Sequence, residues 1–375
     1  MTYFGYVGFA AAGIWFLLMC YLRSRIQLAL GVVKEAAKSI AAMPVIILFP
    51  VIQCAGFVVF MILWMYYAVH LASMGDPVEA GYCSLYSNPA SQVSQDACEA
   101  LSGVWIRYTS FSYDENQTNA GWFLLFAYFW TSQYIIALGQ IIVALCIAKW
   151  YFTRDKGQIG NSTVFSSIKQ AGWYHCGTAA FGSLIIAIIK MIRAYITYMQ
   201  KQAKKAGGKT AQAILCALQC FMWCMEKCMK FLNKNAYIQT AIFGTGFCTS
   251  AKKAFFLILR NIARIGACTM VSEFVIIIGK VFIMSMTGGL SYYAMTEQIG
   301  DELSSPIGPV IFIMLCSYFT GSMFMNIFSM AISTILQCFV ADEEMFSGSE
   351  RYAEGDLVKF IADNGKPDDT DDITL

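Results

Sequence analysis

The stretch LSSPIGPVIFIMLCSYFTGSMFMNIFSMAISTILQCFVA, residues 303–341, runs for 39 positions without an Asp, Glu, Lys, Arg or His. A helix needs about 20 mostly apolar residues to cross the hydrocarbon core of a bilayer. This run exceeds one perpendicular span, so it predicts a tilted or extended helix that begins near Pro306 or Pro309. Further apolar windows lie at 1–22, 44–74, 121–148, 171–189 and 265–288, and 211–232 is a weaker seventh, interrupted by Glu226, Lys227 and Lys230. Over the 375 residues, 58% are hydrophobic and only 13% charged, with mean hydropathy +0.56. A soluble domain carries about a quarter charged residues to cover its surface. The expected fold is therefore all-α, a polytopic transmembrane helix bundle with about seven spanning helices. Met1–Leu22 lacks the basic start and small-residue cleavage site of a secretory signal and reads as a retained helix.

Charge placement orients the windows, because Lys and Arg near membrane ends favour the cytoplasm. Arg23, Arg25, Lys34 and Lys38 put 23–43 inside, and Lys149, Arg154, Lys156 and Lys169 do the same for 149–170. Segment 75–120 holds one basic residue, Arg107, together with Cys83, Cys98 and a sequon at Asn116. An external loop fits all three, since disulfides persist and glycans are added outside. Cys83–Cys98 is the expected disulfide and Asn116 the expected glycosylation site, whereas the sequon at Asn161 falls inside and stays unmodified. Region 171–264 leaves two readings open. Either 171–198 and 211–232 cross as a hairpin, with Lys201, Lys204, Lys205 and Lys209 outside, or neither crosses.

The net charge of +2 hides an asymmetry: residues 342–375 carry 11 acids and 3 bases, a balance of −8, which leaves +10 on the rest. A transmembrane domain over 1–341 and an acidic, disordered cytoplasmic tail over 342–375 follow. The tail is a candidate surface for a cytoplasmic partner, and its final Ile373-Thr374-Leu375 is compatible with a PDZ groove.

Residues 231–264, FLNKNAYIQTAIFGTGFCTSAKKAFFLILRNIAR, are too polar for an ordinary span and too apolar for an ordinary loop. Cys216, Cys220, Cys224 and Cys228 precede them at four-residue spacing, followed by N-K-N-A-Y-I, by A-x-x-G-x-x-F-C-x-S-A-K and by L-x-R-N-I-x-R. This order resembles the signature block of the choline transporter-like solute carriers. Supporting similarities are Arg23-Ser24-Arg25-Ile26 with Met43-Pro44, Leu138-Gly139-Gln140, Gly182-Ser183-Leu184-Ile185, and Gln337-Cys338-Phe339-Val340-Ala341-Asp342-Glu343. The resemblance implies about ten helices in a complete member, with this chain as the carboxyl-terminal two-thirds. It implies transport of choline or a related amino-alcohol cation, in the plasma membrane or, alternatively, an internal one. It also favours the hairpin reading of 171–232.

A quaternary ammonium has no N–H to donate, so aromatic faces and diffuse negative potential must hold it. Candidate substrate-binding residues are Trp64, Tyr128, Trp130, Tyr134 and Tyr318, with Trp130 and Tyr134 sharing one helix face at i,i+4. Read blandly, the same aromatics belong to interfacial belts or to packing. Glu273 is the leading intramembrane carboxylate, as counter-charge or proton acceptor, against a plain interface role near the helix's inner end. Segment 233–264 reads as cytoplasmic or membrane-surface, and Gly244 and Gly246 mark a break within it. Residues 236–250 are then either a discontinuous element beside the transport path or an amphipathic helix on the inner leaflet. The cysteine stripe is a packing face or a palmitoylation surface. Four thiolates on one straight helix cannot surround a metal tetrahedrally.

These features favour a carrier over an enzyme. Two histidines cannot build a histidine box, and AKKAGGKT lacks the first glycine of a P-loop. Nothing has the basic footprint of nucleic-acid binding, and no cofactor or metal is implied. A lipid bilayer and a small cation are the expected partners. The alternative is a non-transporting membrane protein that organises trafficking or lipid composition.

Overall fold

Residues 23–84, 95–205, 208–298, 305–346 and 350–353 are described by a computed structural model. The expected helix at 1–22 and most of the acidic tail lie outside them. Helix α1 (Arg23–Ala42) leads through a 3-10 turn at Pro44–Leu48 into α2 (Phe49–Ser73). Each element starts with proline in its first turn, where the missing N–H would have had no helical partner. The segment expected to be external follows: β1 (Asp76–Cys83), a short helix α3 (Gln95–Ala100) and β2 (Trp105–Ser112). The strands pair antiparallel from Asp76 opposite Ser112 to Cys83 opposite Trp105. Cys83 and Cys98 form the expected disulfide, with Cα atoms 5.6 Å apart, and pin α3 to β1.

Helix α4 (Glu115–Tyr151) opens with a capping box in which Asp114 and Gln117 satisfy each other's backbone N–H. Asn116 is exposed in its first turn. Helices α5 (Asn161–Tyr174) and α6 (Cys176–Lys205) follow. Asn161 is not free, because its side-chain oxygen accepts from Val45 N at 3.2 Å. Helix α7 (Lys209–Phe243) ends at Gly244, which takes φ +69°, a left-handed backbone that glycine adopts without steric cost. After a 107° bend comes α8 (Phe247–Arg260), then α9 (Ile262–Gln298) and α10 (Ile307–Met345). Pro306 precedes α10, as the sequence predicts.

The fold is an all-α, polytopic bundle. Among the described residues, five helices are long and apolar enough to cross a membrane, and α7 with α8 adds a sixth if the bent pair is one span. Seven crossings would need residues 1–22, which are not described. Helices α6 and α7 run antiparallel as a hairpin, tied by the Arg193–Glu226 ion pair, and Lys230 on α7 holds the same carboxylate at 2.6 Å. Helix α10 continues to Met345, past the tail boundary placed at 341. Tyr352 and Ala353 return to it, their backbone N–H groups donating to buried Asp342 at 2.9 Å each.

Packing concentrates at one end. Ile141–Ala148 of α4, Ala236–Thr240 of α7 and Leu336–Asp342 of α10 are buried without interruption. Leu28, Ala29, Val32 and Ala36 of α1 close this end of the core. Toward the strand pair the same helices spread, and α2 and the first half of α10 expose apolar side chains all round.

Candidate functional site

A cavity of about 510 Å³ lies where α2, α4 and α10 separate, with α7 touching its wall. That volume suits a small molecule. Helix α2 contributes Phe49, Gln53, Cys54 and Phe57, and α4 contributes Ile135, Ile136, Gly139 and Gln140. Asn326, Ile327, Ser329 and Met330 come from α10, and Lys234 from α7. Gly139 is there for room: a Cβ at this position would strike the Gln53 amide, which donates to Ile135 O at 2.9 Å. The lining is apolar, aromatic and amide-rich. It holds one cation, Lys234, whose ammonium donates to Ser329 Oγ at 3.2 Å, and no carboxylate among the described residues.

An aromatic seam leads away from the cavity between α2 and α4. Phe57 lies 6.2 Å from Phe60, Phe60 lies 6.4 Å from Tyr128, and Tyr128 lies 5.2 Å from Trp64, centroid to centroid. Trp64 anchors the seam by donating its indole N–H to Leu124 O at 2.9 Å. Two of the expected substrate residues, Trp64 and Tyr128, thus meet.

The other candidates lie elsewhere. Trp130 packs against Phe126 and donates to Ala180 O of α6 at 3.1 Å, and Tyr134 follows on that helix face. Two residues along a helix turn the side chain about 200°, so Tyr128 and Trp130 point to opposite sides of α4. Tyr318 is exposed on the open half of α10. Glu273 is exposed on α9, outside the cavity lining.

Beside the cavity Asn233, Asn235, Gln239, Thr240 and Ser250 are buried and hydrogen-bonded. Asn233 donates to Gly182 O of α6 at 2.6 Å. Gln239 donates to Gln337 Oε1 at 2.9 Å, and Gln337 donates in turn to Asn235 Oδ1 at 2.6 Å. Thr240 donates to Ser250 Oγ at 2.9 Å across the Gly244 bend, which fixes α8 against α7. Side-chain amides in such a setting must find partners, because unpaired polar groups away from water are costly. Both sequence readings of 236–250 contribute to what is seen. The backbone breaks at Gly244–Gly246, and α8 beyond it is amphipathic, with Phe247, Ser250, Ala254 and Leu257 buried and Phe255, Phe256 and Leu259 exposed.

Sequence reasoning missed Lys234 as a cavity residue, and with it Gln53, Gln140 and Asn326. The available signal was polarity: Asn326 and Gln337 are the amides in the charge-free run 303–341, and Lys234 is the cation of N-K-N.

Residues 6–344 match the family model described as plasma-membrane choline transporter. The chain is 35% identical to choline transporter-like protein 2 of Dictyostelium discoideum, an alignment covering 94% of this chain and 53% of that protein. It is 31% identical to choline transporter-like protein 2 of Homo sapiens, covering 89% and 50% respectively. Against choline transporter-like protein 5 of Mus musculus the identity is 32%, with 93% and 52% covered. The chain spans about half the length of these curated relatives, less than the two-thirds expected from its sequence.

Proposed function

This chain belongs to the plasma-membrane choline transporter family, and we propose that it carries choline or a related amino-alcohol cation across the plasma membrane. The observation that carries the reading is the cavity with its aromatic seam. Phe57, Phe60, Tyr128 and Trp64 give a cation without N–H groups a run of ring faces toward the external loop, each worth about 0.5–2 kcal/mol. Gln53, Gln140 and Asn326 offer hydrogen-bond partners for a hydroxyl. The membrane potential alone drives such a cation inward by about 2.3 kcal/mol per 100 mV, roughly fifty-fold accumulation. Neither proton exchange nor another coupling ion is required. In this reading 1–341 is the transport domain, Asp342, Glu343 and Glu344 are held within the chain, and the acidic residues after 353 are left for a cytoplasmic partner.

The test is radiolabelled choline uptake into proteoliposomes at imposed potentials, with the 375-residue chain beside a full-length relative. Saturable, potential-driven uptake is expected. Trp64→Ala or Tyr128→Ala should raise KM about tenfold at unchanged protein abundance, and Tyr318→Ala should leave it unchanged. Equal KM in all three variants would remove the seam from the path. Absence of uptake from both folded proteins would refute choline as substrate.

A further inference from the structure

The cavity is a poor place for a free cation, because Lys234 already occupies its polar wall and no described carboxylate lines it. Two like charges in one small, dry space repel strongly. Yet Lys234 is loosely held. An ammonium has three donors, and Ser329 supplies the one hydrogen bond the described residues make to it. Its neighbours Asn233 and Asn235 are locked to Gly182 O and to Phe231 O, so the helix is fixed while the lysine stem keeps its freedom. An ionisable residue within a span calls for a functional account, and Lys234 stands on the cavity wall.

We propose that Lys234 is a tethered competitor for the substrate's cationic head: its ammonium and the bound cation take turns in the cavity. This rests on the cation-carrier reading. It makes Lys234 a specificity-determining residue, because a ligand must supply enough binding to displace one positive charge. A neutral amino-alcohol analogue leaves Lys234 in place, whereas a quaternary ammonium must expel it. Loss of the lysine charge then tightens cation binding but removes the element that resets the empty site, so KM and kcat fall together.

Cys54 is exposed and lines the cavity, which supplies a reporter independent of transport. Its modification by trimethylammonium-ethyl and sulfonato-ethyl methanethiosulfonates, read at the Cys54 peptide by mass spectrometry, measures the local charge. In the unaltered chain the anionic reagent should react faster than the cationic one, each normalised to the neutral methyl reagent. Lys234→Met should shift that ratio toward the cationic reagent on the order of tenfold, and Lys234→Arg should keep it. Choline should protect Cys54 at lower concentration in Lys234→Met. If Lys234→Met is not monodisperse, Lys234→Gln takes its place. An unchanged reagent ratio overturns the competitor role and leaves the carrier reading standing. A shifted ratio with no choline protection in any variant overturns the carrier reading, and the competitor role with it.

Discussion

The two halves of Ile307–Met345 are both rich in apolar residues and differ in what surrounds them. From Ile307 to Thr320 no residue is buried, and Phe312 and Phe319 are 67% and 71% exposed. From Met330 to Asp342 every residue but Ser333 is buried, against α1, α4, α7 and α9. The polar groups follow the packing. Gln337 and Asp342 lie in the buried half, where Asn235, Gln239, Tyr151 and the backbone of Tyr352 and Ala353 satisfy them. Hydrophobicity therefore makes the helix a span, while shape and hydrogen bonding decide which part of it meets protein. In lipid there is little hydrophobic gain in bringing helices together, so association rests on close packing and polar contacts. The cavity sits at the junction of the two halves, where packing ends and the helices part.

The contrast is open to direct attack through unfolding measured in detergent or bicelles. The largest expected effect is Asp342→Ala, which strips the Tyr151 hydroxyl and two backbone N–H groups of a charged acceptor. It should cost about 3 kcal/mol and release 350–353, which a protease would report. Gly182→Val comes next. A side chain there collides with Tyr237 and Phe247, at the point where α6, α7 and α8 meet. Overpacking should cost about 2 kcal/mol, and a neutral result would mean that the hairpin is looser than described. Gln337→Leu removes the middle of the amide chain and leaves Asn235 Oδ1 and the Gln239 amide without their partner. About 1 kcal/mol is expected, since intramembrane hydrogen bonds are individually modest. Smallest is Phe319→Ala on the open half, at or below about 0.5 kcal/mol if lipid covers it. A cost above about 1 kcal/mol would sharpen the contrast differently, by showing that protein covers this face in the intact assembly.

Much of the architecture was legible before any coordinates. Charge-free windows predicted the long helices because a bilayer tolerates no unpaired charge. Pro306 predicted where α10 starts, and Cys83 with Cys98 predicted the disulfide of the 75–120 segment. The order of motifs through 216–264 was enough to identify the family. Each of these follows from a local rule: segment length, the missing proline N–H, or the chemistry of a compartment.

Only the tertiary structure decided what those residues face. Trp64 and Tyr128 meet because α2 and α4 lie side by side, and Trp130 turns away because two residues on a helix reverse direction. Lys234 reads in sequence as one more base in a polar stretch. Its place in a cavity beside Ser329 depends on the register between helices far apart in the chain. Helical period and hydrophobicity act within a segment and so are written in it. The register between segments is set by complementary shapes and paired polar groups on both, and no single segment carries that information.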